Sequence, residues 1–137
     1  MESVSLSREI AAPAATVRDA IEDVETFMRA AEFDEVTVAD GTIEIANTVG
    51  FLRIELALDM VDRPGAILAY EQREGIFEVM DTEYRLEETG DGTTVTATTE
   101  YAVDAAFVGP VFDATVVKRQ RRRELGNQFD HLQATCE

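Results

Sequence analysis

Val4, Leu6, Arg8 and Ile10 alternate with Ser3, Ser5, Ser7 and Glu9 at the start of the chain, and this period of two predicts a strand with one apolar face. Behind Ala12-Pro13 the period changes. Val17, Ala20, Ile21 and Val24 recur at helical spacing, and proline suits a first helical turn because the amide hydrogen it lacks would be unpaired there. Phe27, Met28 and Ala31 predict a second, shorter helical stretch. From Phe33 the period returns to two. Val36 and Val38 precede Asp40-Gly41, and Ile43 and Ile45 follow it, which is a hairpin signature. The clearest strand comes next, with Leu52, Ile54, Leu56, Leu58 and Met60 facing one way and Arg53, Glu55, Ala57 and Asp59 the other. Two more strands, Ile67 to Glu74 and Phe77 to Glu88, are separated by Gly75. A last strand, Thr93 to Val103, follows the turn Gly90-Asp91-Gly92. Strands with a single apolar face call for a curved antiparallel sheet covered on one side by helix.

That helix is predicted after Gly109-Pro110, from about Val111 to Ala134. With successive residues about 100° apart, Val111, Ala114, Leu125, Phe129 and Leu132 gather on one face, which should meet the sheet. Lys118 and Arg122 fall on the same stripe where two more apolar residues are expected. Arg121 borders the stripe on one side, and Arg119 and Arg123 lie further round on the other. Asp113, Gln120, Glu124, Asn127 and His131 take the opposite, solvated face.

Charge changes the picture in two ways. The chain has 137 residues, 28 acidic against 12 basic, and a net charge of -16. Arginine supplies all but one of the basic residues, and five of the twelve stand in the block Lys118 to Arg123. Such an excess suits concentrated salt. At about 1 M the Debye length is about 3 Å, so carboxylates repel weakly while still holding water. Thermal stability is therefore expected to climb as KCl approaches molar levels, with melting curves as the check and a maximum in dilute buffer as the contrary result. The same excess argues against nucleic acid or an anionic membrane as partner. A chain this long buries roughly 68% of its unfolded surface, enough for one domain with a core or a cavity. No apolar run of membrane-spanning length occurs and Met1 to Leu6 lacks the pattern of a signal peptide, so a cytoplasmic protein is expected. Cys136 stands alone near the carboxyl terminus, which excludes an internal disulfide and a multi-cysteine metal site.

Three passages carry a resemblance. IAAPAATVRDAIEDVETF looks like the first strand and paired helices of the START-like or polyketide cyclase superfamily (SRPBCC), GDGTTVTATTEY like its final turn and strand, and GPVFDATVVKRQRRRELGNQFDHL like its carboxyl-terminal helix. The order of elements over the full chain is similar too. The resemblance implies a helix-grip fold of the α+β class: a curved antiparallel sheet of about seven strands wrapped around a long carboxyl-terminal helix, with two short helices after the first strand, in one domain over residues 1–137. It also implies a pocket between sheet and helix for a small hydrophobic or amphipathic molecule, of lipid, polyketide or aromatic type. Some members of that family carry such ligands, and others are cyclases or dehydratases.

Within that frame, Lys118 and Arg122 have two readings. In one they enter the pocket or its mouth and hold an anionic group of the ligand, which an arginine pairs bidentately. In the other they snorkel past the helix edge to strand carboxylates such as Asp81, Glu83 or Glu100. Tyr84 and Tyr101 share the inward phase of their strands with Thr82 and Thr99, and Tyr70 lies in the strand before. These groups either offer hydroxyls to a ligand, with Tyr84, Tyr101 or Arg122 as proton donor or oxyanion partner if the protein is a cyclase, or pack as core. Leu56, Leu58, Met60 and Phe129 are candidates for the apolar wall, and Phe27 and Met28 for the entrance. No catalytic motif is present. His131, the only histidine, sits on the solvated face, so neither a triad nor a histidine metal site is expected, and no loop has phosphate-cradling spacing, so no cofactor is implied.

Overall fold

The structure, a computed structural model, describes residues 1–107 and 113–137. Strand β1 (Glu2–Ile10) leads into helices α1 (Ala14–Glu22) and α2 (Val24–Arg29). Strands β2 (Glu35–Ala39), β3 (Thr42–Val49), β4 (Leu52–Met60), β5 (Leu68–Glu74), β6 (Phe77–Thr89) and β7 (Gly92–Val103) follow, and a 3-10 turn at Ala105–Phe107 precedes helix α3 (Ala114–Cys136). All strand pairs are antiparallel, in one seven-stranded sheet of order β1-β7-β6-β5-β4-β3-β2. This is the expected architecture. The expected turn at Gly109-Pro110 and the place of Val111 on the helix lie outside the described residues, and α3 begins at Ala114. No helix among the described residues is long and apolar enough to cross a membrane.

Local chemistry accounts for the joints. Pro13 caps α1 from outside, in extended conformation, rather than occupying its first turn. Asp40 and Gly41 both have positive φ, 52° and 77°, the combination that a two-residue hairpin turn requires and that Asp-Gly supplies with least strain. The side chain of Asp113 accepts hydrogen bonds from the backbone N–H of Thr115 at 2.9 Å and of Val116 at 3.0 Å, which satisfies two of the unpaired donors at the start of α3.

Alternation sorts the two faces of the sheet. On the concave side Val4, Ile10, Ile43, Leu58, Tyr84, Val95, Ala97 and Tyr101 are fully or almost fully buried against α1, α2 and α3. Phe27 and Met28 belong to this core at 0% exposure; Phe27 packs edge-on against Tyr84, with centroids 5.2 Å apart, and neither stands at an entrance. On the convex side arginines meet carboxylates. Arg63 donates to Asp81 at 2.6 Å and to Glu71 at 2.9 Å, and Arg53 to Glu35 at 2.7 Å, while Arg85 pairs with Glu83. An exposed pair such as Arg53–Glu35 contributes little stability by itself, about 0–1 kcal/mol.

Candidate functional site

The register of three strands places three hydroxyls in a row. Tyr70 of β5 stands opposite Thr82 of β6, and Thr82 opposite Thr99 of β7. Neighbouring strands are about 4.8 Å apart, so one guanidinium laid over the row can reach all three. Arg121 does so from the middle of α3. Its Nε donates to Thr99 Oγ1 at 3.0 Å, and its Nη2 to Tyr70 OH at 2.5 Å and Thr82 Oγ1 at 3.3 Å. Its Nη1 donates to Glu124 Oε1 at 3.2 Å. Glu124 Oε2 accepts from the amides of Asn47 at 3.3 Å and Gln120 at 3.1 Å. On the far side the Tyr70 hydroxyl lies 3.5 Å from that of Tyr84, which donates to Gln128 Oε1 at 2.7 Å, and Gln128 in turn donates to the Phe27 carbonyl at 3.3 Å. Arg121 and Glu124 are each 8% exposed and Gln128 0%. Among the described residues no buried side-chain nitrogen or oxygen lacks a partner.

Burial sets the electrostatics. It works against the charge of Arg121, but Tyr70, Tyr84 and Glu124 outweigh it and hold the guanidinium above its already high value. Burial pushes the Glu124 carboxyl up from its ordinary value, and Arg121 and Gln120 pull it back only in part. The Tyr84 phenol is raised well above its usual range, by burial first and then by Tyr70. It stays neutral at any physiological pH.

Beside this network lies a cavity of about 70 Å³. Ile54, Leu56, Leu58, Ile76, Met80 and Val117 form much of its wall, and Asn47, Gln120, Arg121 and Glu124 its polar end. Phe33, Val49, Phe77 and Gln120 are only half-buried and mark its rim. Of the residues singled out in the sequence, Leu56, Leu58, Tyr70, Thr99 and Tyr101 line this space. Thr82 touches it only through Arg121, and Tyr84 lies behind Tyr70. Tyr101 is tied to the helix start, where its hydroxyl donates to the Ala114 carbonyl at 3.0 Å.

Several expectations are corrected. Arg122 is exposed, as are Arg119 and Arg123. Lys118 turns to the edge of the sheet and pairs with Glu2 at 3.3 Å, with 39% of its side chain exposed; Asp81 and Glu83 are engaged by Arg63 and Arg85 on the convex face, so Lys118 snorkels to a different carboxylate. Phe129 is fully buried away from the cavity, beneath the guanidinium of Arg8 at 5.7 Å, and Met60 is half-buried and is not among the lining residues. Conversely Glu124, expected on the solvated face, is buried, and Gln120 lines the cavity. His131 keeps to a surface contact with Thr135 at 3.4 Å, and among the described residues no group of three or more His, Cys, Asp or Glu side chains forms a metal site.

A family model described as "Polyketide cyclase / dehydrase and lipid transport" matches residues 1–137. Solved structures share the fold at low identity. An aromatase/cyclase, Zhui, from Streptomyces sp. R1128 is 18% identical, with a TM-score of 0.75 over 96% of this chain and 93% of that one. A START superfamily protein from Mycobacterium smegmatis is 15% identical, with a TM-score of 0.73 over 96% and 94%. The protein XoxI from Bacillus cereus is 10% identical, with a TM-score of 0.75 over 98% and 94%. No curated protein matches the sequence.

Proposed function

Because the chain belongs to the polyketide cyclase / dehydrase and lipid transport family along its whole length, we propose that it binds a small, largely apolar molecule between the concave face of the sheet and the first half of α3. The observation that carries this reading is an apolar cavity whose one polar end is a buried ion pair, Arg121–Glu124. A buried pair is often no more stabilising than well-packed apolar side chains of the same volume. Set beside open space, it is better explained by an occupant than by stability. At about 70 Å³ the cavity is tight, less than half of the roughly 150 Å³ of an apolar protein cavity that admits benzene. A ring-sized guest therefore enters by turning aside the half-buried rim side chains Phe33, Val49, Phe77 and Gln120.

The test uses a neutral fluorophore, N-phenyl-1-naphthylamine, with native mass spectrometry of the purified protein as a companion. One equivalent should be taken up, or a co-purifying small molecule displaced, and Val117→Phe, which fills the cavity, should weaken uptake about tenfold. No uptake, or uptake indifferent to Val117→Phe, would sink the reading. A cyclase reading is favoured by one observation, the Tyr70 phenol on the cavity wall with Arg121 donating to its oxygen. A phenol so placed can lend its proton to a ligand carbonyl. On a polyketide-like substrate Tyr70→Phe would then remove turnover while leaving uptake in place.

A further inference from the structure

The polar end of the cavity is electrically balanced before any ligand arrives. A guanidinium has five N–H donors, and among the described residues four of those on Arg121 are engaged, by Thr99, Glu124, Tyr70 and Thr82. One Nη1 hydrogen is left. The charge is matched by Glu124, whose Oε1 faces Arg121 and whose Oε2 is held by the amides of Asn47 and Gln120. Among the described residues no other charged side chain lines the cavity. What remains on offer is one donor from Arg121, the second N–H and the carbonyl oxygen of each amide, and the spare lone pairs of a carboxylate.

We infer that the cavity takes an uncharged apolar molecule bearing a hydroxyl or carbonyl group, and that Glu124 is the residue that turns carboxylates away. The inference rests on the binding reading above and narrows it. A hydroxyl matches the inventory in both directions, accepting from Arg121 Nη1 and donating to Glu124 or an amide oxygen, and a carbonyl uses the first of these alone. A carboxylate seeking the same Nη1 hydrogen would lie beside the Glu124 carboxylate in a poorly solvated space, where like charges repel far more than in water. It would also bring a second anion to a guanidinium that already has its counter-ion.

Equilibrium binding of 2-naphthol and 2-naphthoate at neutral pH tests this, because both share one ring system, and a chain with no tryptophan leaves naphthalene fluorescence easy to read. The wild-type protein should prefer 2-naphthol, and Glu124→Gln should tighten 2-naphthoate about 10- to 100-fold, the worth of one charge-assisted hydrogen bond, with little change for 2-naphthol. Glu44→Gln removes the same charge from an exposed position on β3 and should leave the preference unchanged. In Arg121→Met/Glu124→Gln, which has neither charge, the gain for 2-naphthoate should vanish; this variant also serves if the single one folds poorly. Equal affinities in wild type and Glu124→Gln, a tighter 2-naphthoate in wild type, or an equal effect from Glu44→Gln would overturn the inference and leave the cavity reading standing. If no variant binds either compound, and the neutral fluorophore is not taken up, it is the cavity reading that fails.

Discussion

Arg121→Met should lower the melting temperature by about 10–20 °C, from a loss of about 3–5 kcal/mol, whereas Arg122→Met, one residue along, should stay within about 0.5 kcal/mol of wild type. The contrast follows from burial and partners. Arg122 is exposed and in contact with no carboxylate among the described residues. Arg121 is 8% exposed and serves four acceptors. Removing it strands Glu124 as a buried carboxylate with two amides for company, and leaves Tyr70, Thr82 and Thr99 without their donor. The hydroxyls can still pair among themselves, since Thr82 and Thr99 are 3.0 Å apart and Tyr70 faces Tyr84. The stranded charge is therefore the main cost. Arg121→Met/Glu124→Leu should accordingly recover most of the lost stability, because replacing both members of a buried pair by apolar groups is often neutral or better. Melting curves of wild type, Arg121→Met, Glu124→Leu and the double variant, read as a double-mutant cycle, decide it. A double variant no more stable than Arg121→Met would mean that the hydroxyl row, not the charge, carries the cost.

The same residue measures how far the sequence could be read. The strands, their concave apolar faces and the long helix follow from periodicity alone, because a period of two leaves only one way to divide a strand into faces. Ile54, Leu56 and Leu58 are buried together, and so are Val95, Ala97, Thr99 and Tyr101. The rotation of α3 does not follow. Leu125, Phe129 and Leu132, which orient the helical wheel, occupy only part of the buried arc, and the rest holds Val117 together with the polar Arg121, Glu124 and Gln128. A stripe that buries polar side chains displaces its apparent apolar centre away from them. Lys118 and Arg122 then look inward and Arg121 looks marginal, although the whole error is a fraction of one residue step. A signal did exist in the strands. Tyr70, Thr82 and Thr99 share the inward face and offer a row of acceptor oxygens to the opposing helix, but which arginine meets them depends on a register across β5, β6 and β7 that no single strand reveals.

Glu124 should make the protein lose stability as pH rises, the reverse of the usual behaviour of a salt-bridged carboxylate. Its folded-state value is raised, by burial first, with Arg121 and Gln120 compensating only in part. Between the ordinary carboxyl range, near about 4.3, and that raised value, the folded protein holds a proton that the unfolded chain has released, so unfolding becomes easier with each step up in pH. The contribution is fully present below the unfolded value and gone once pH has passed the folded one. Glu124→Gln keeps an acceptor for Arg121 and has no proton to lose. Its stability relative to wild type should therefore improve from about pH 4 toward neutrality, which melting curves across that range would register after subtraction of the shared background from the surface carboxylates. In Arg121→Met the compensation is gone and the carboxyl value climbs further, so the deficit of that variant should shrink as pH falls and Glu124 takes up its proton. A Glu124→Gln difference that is flat with pH would mean that Arg121 and Gln120 fully offset burial, and one that turns against the variant as pH rises would mean that they more than offset it and that the pair favours the folded state. In that case the ion pair needs no ligand to explain it.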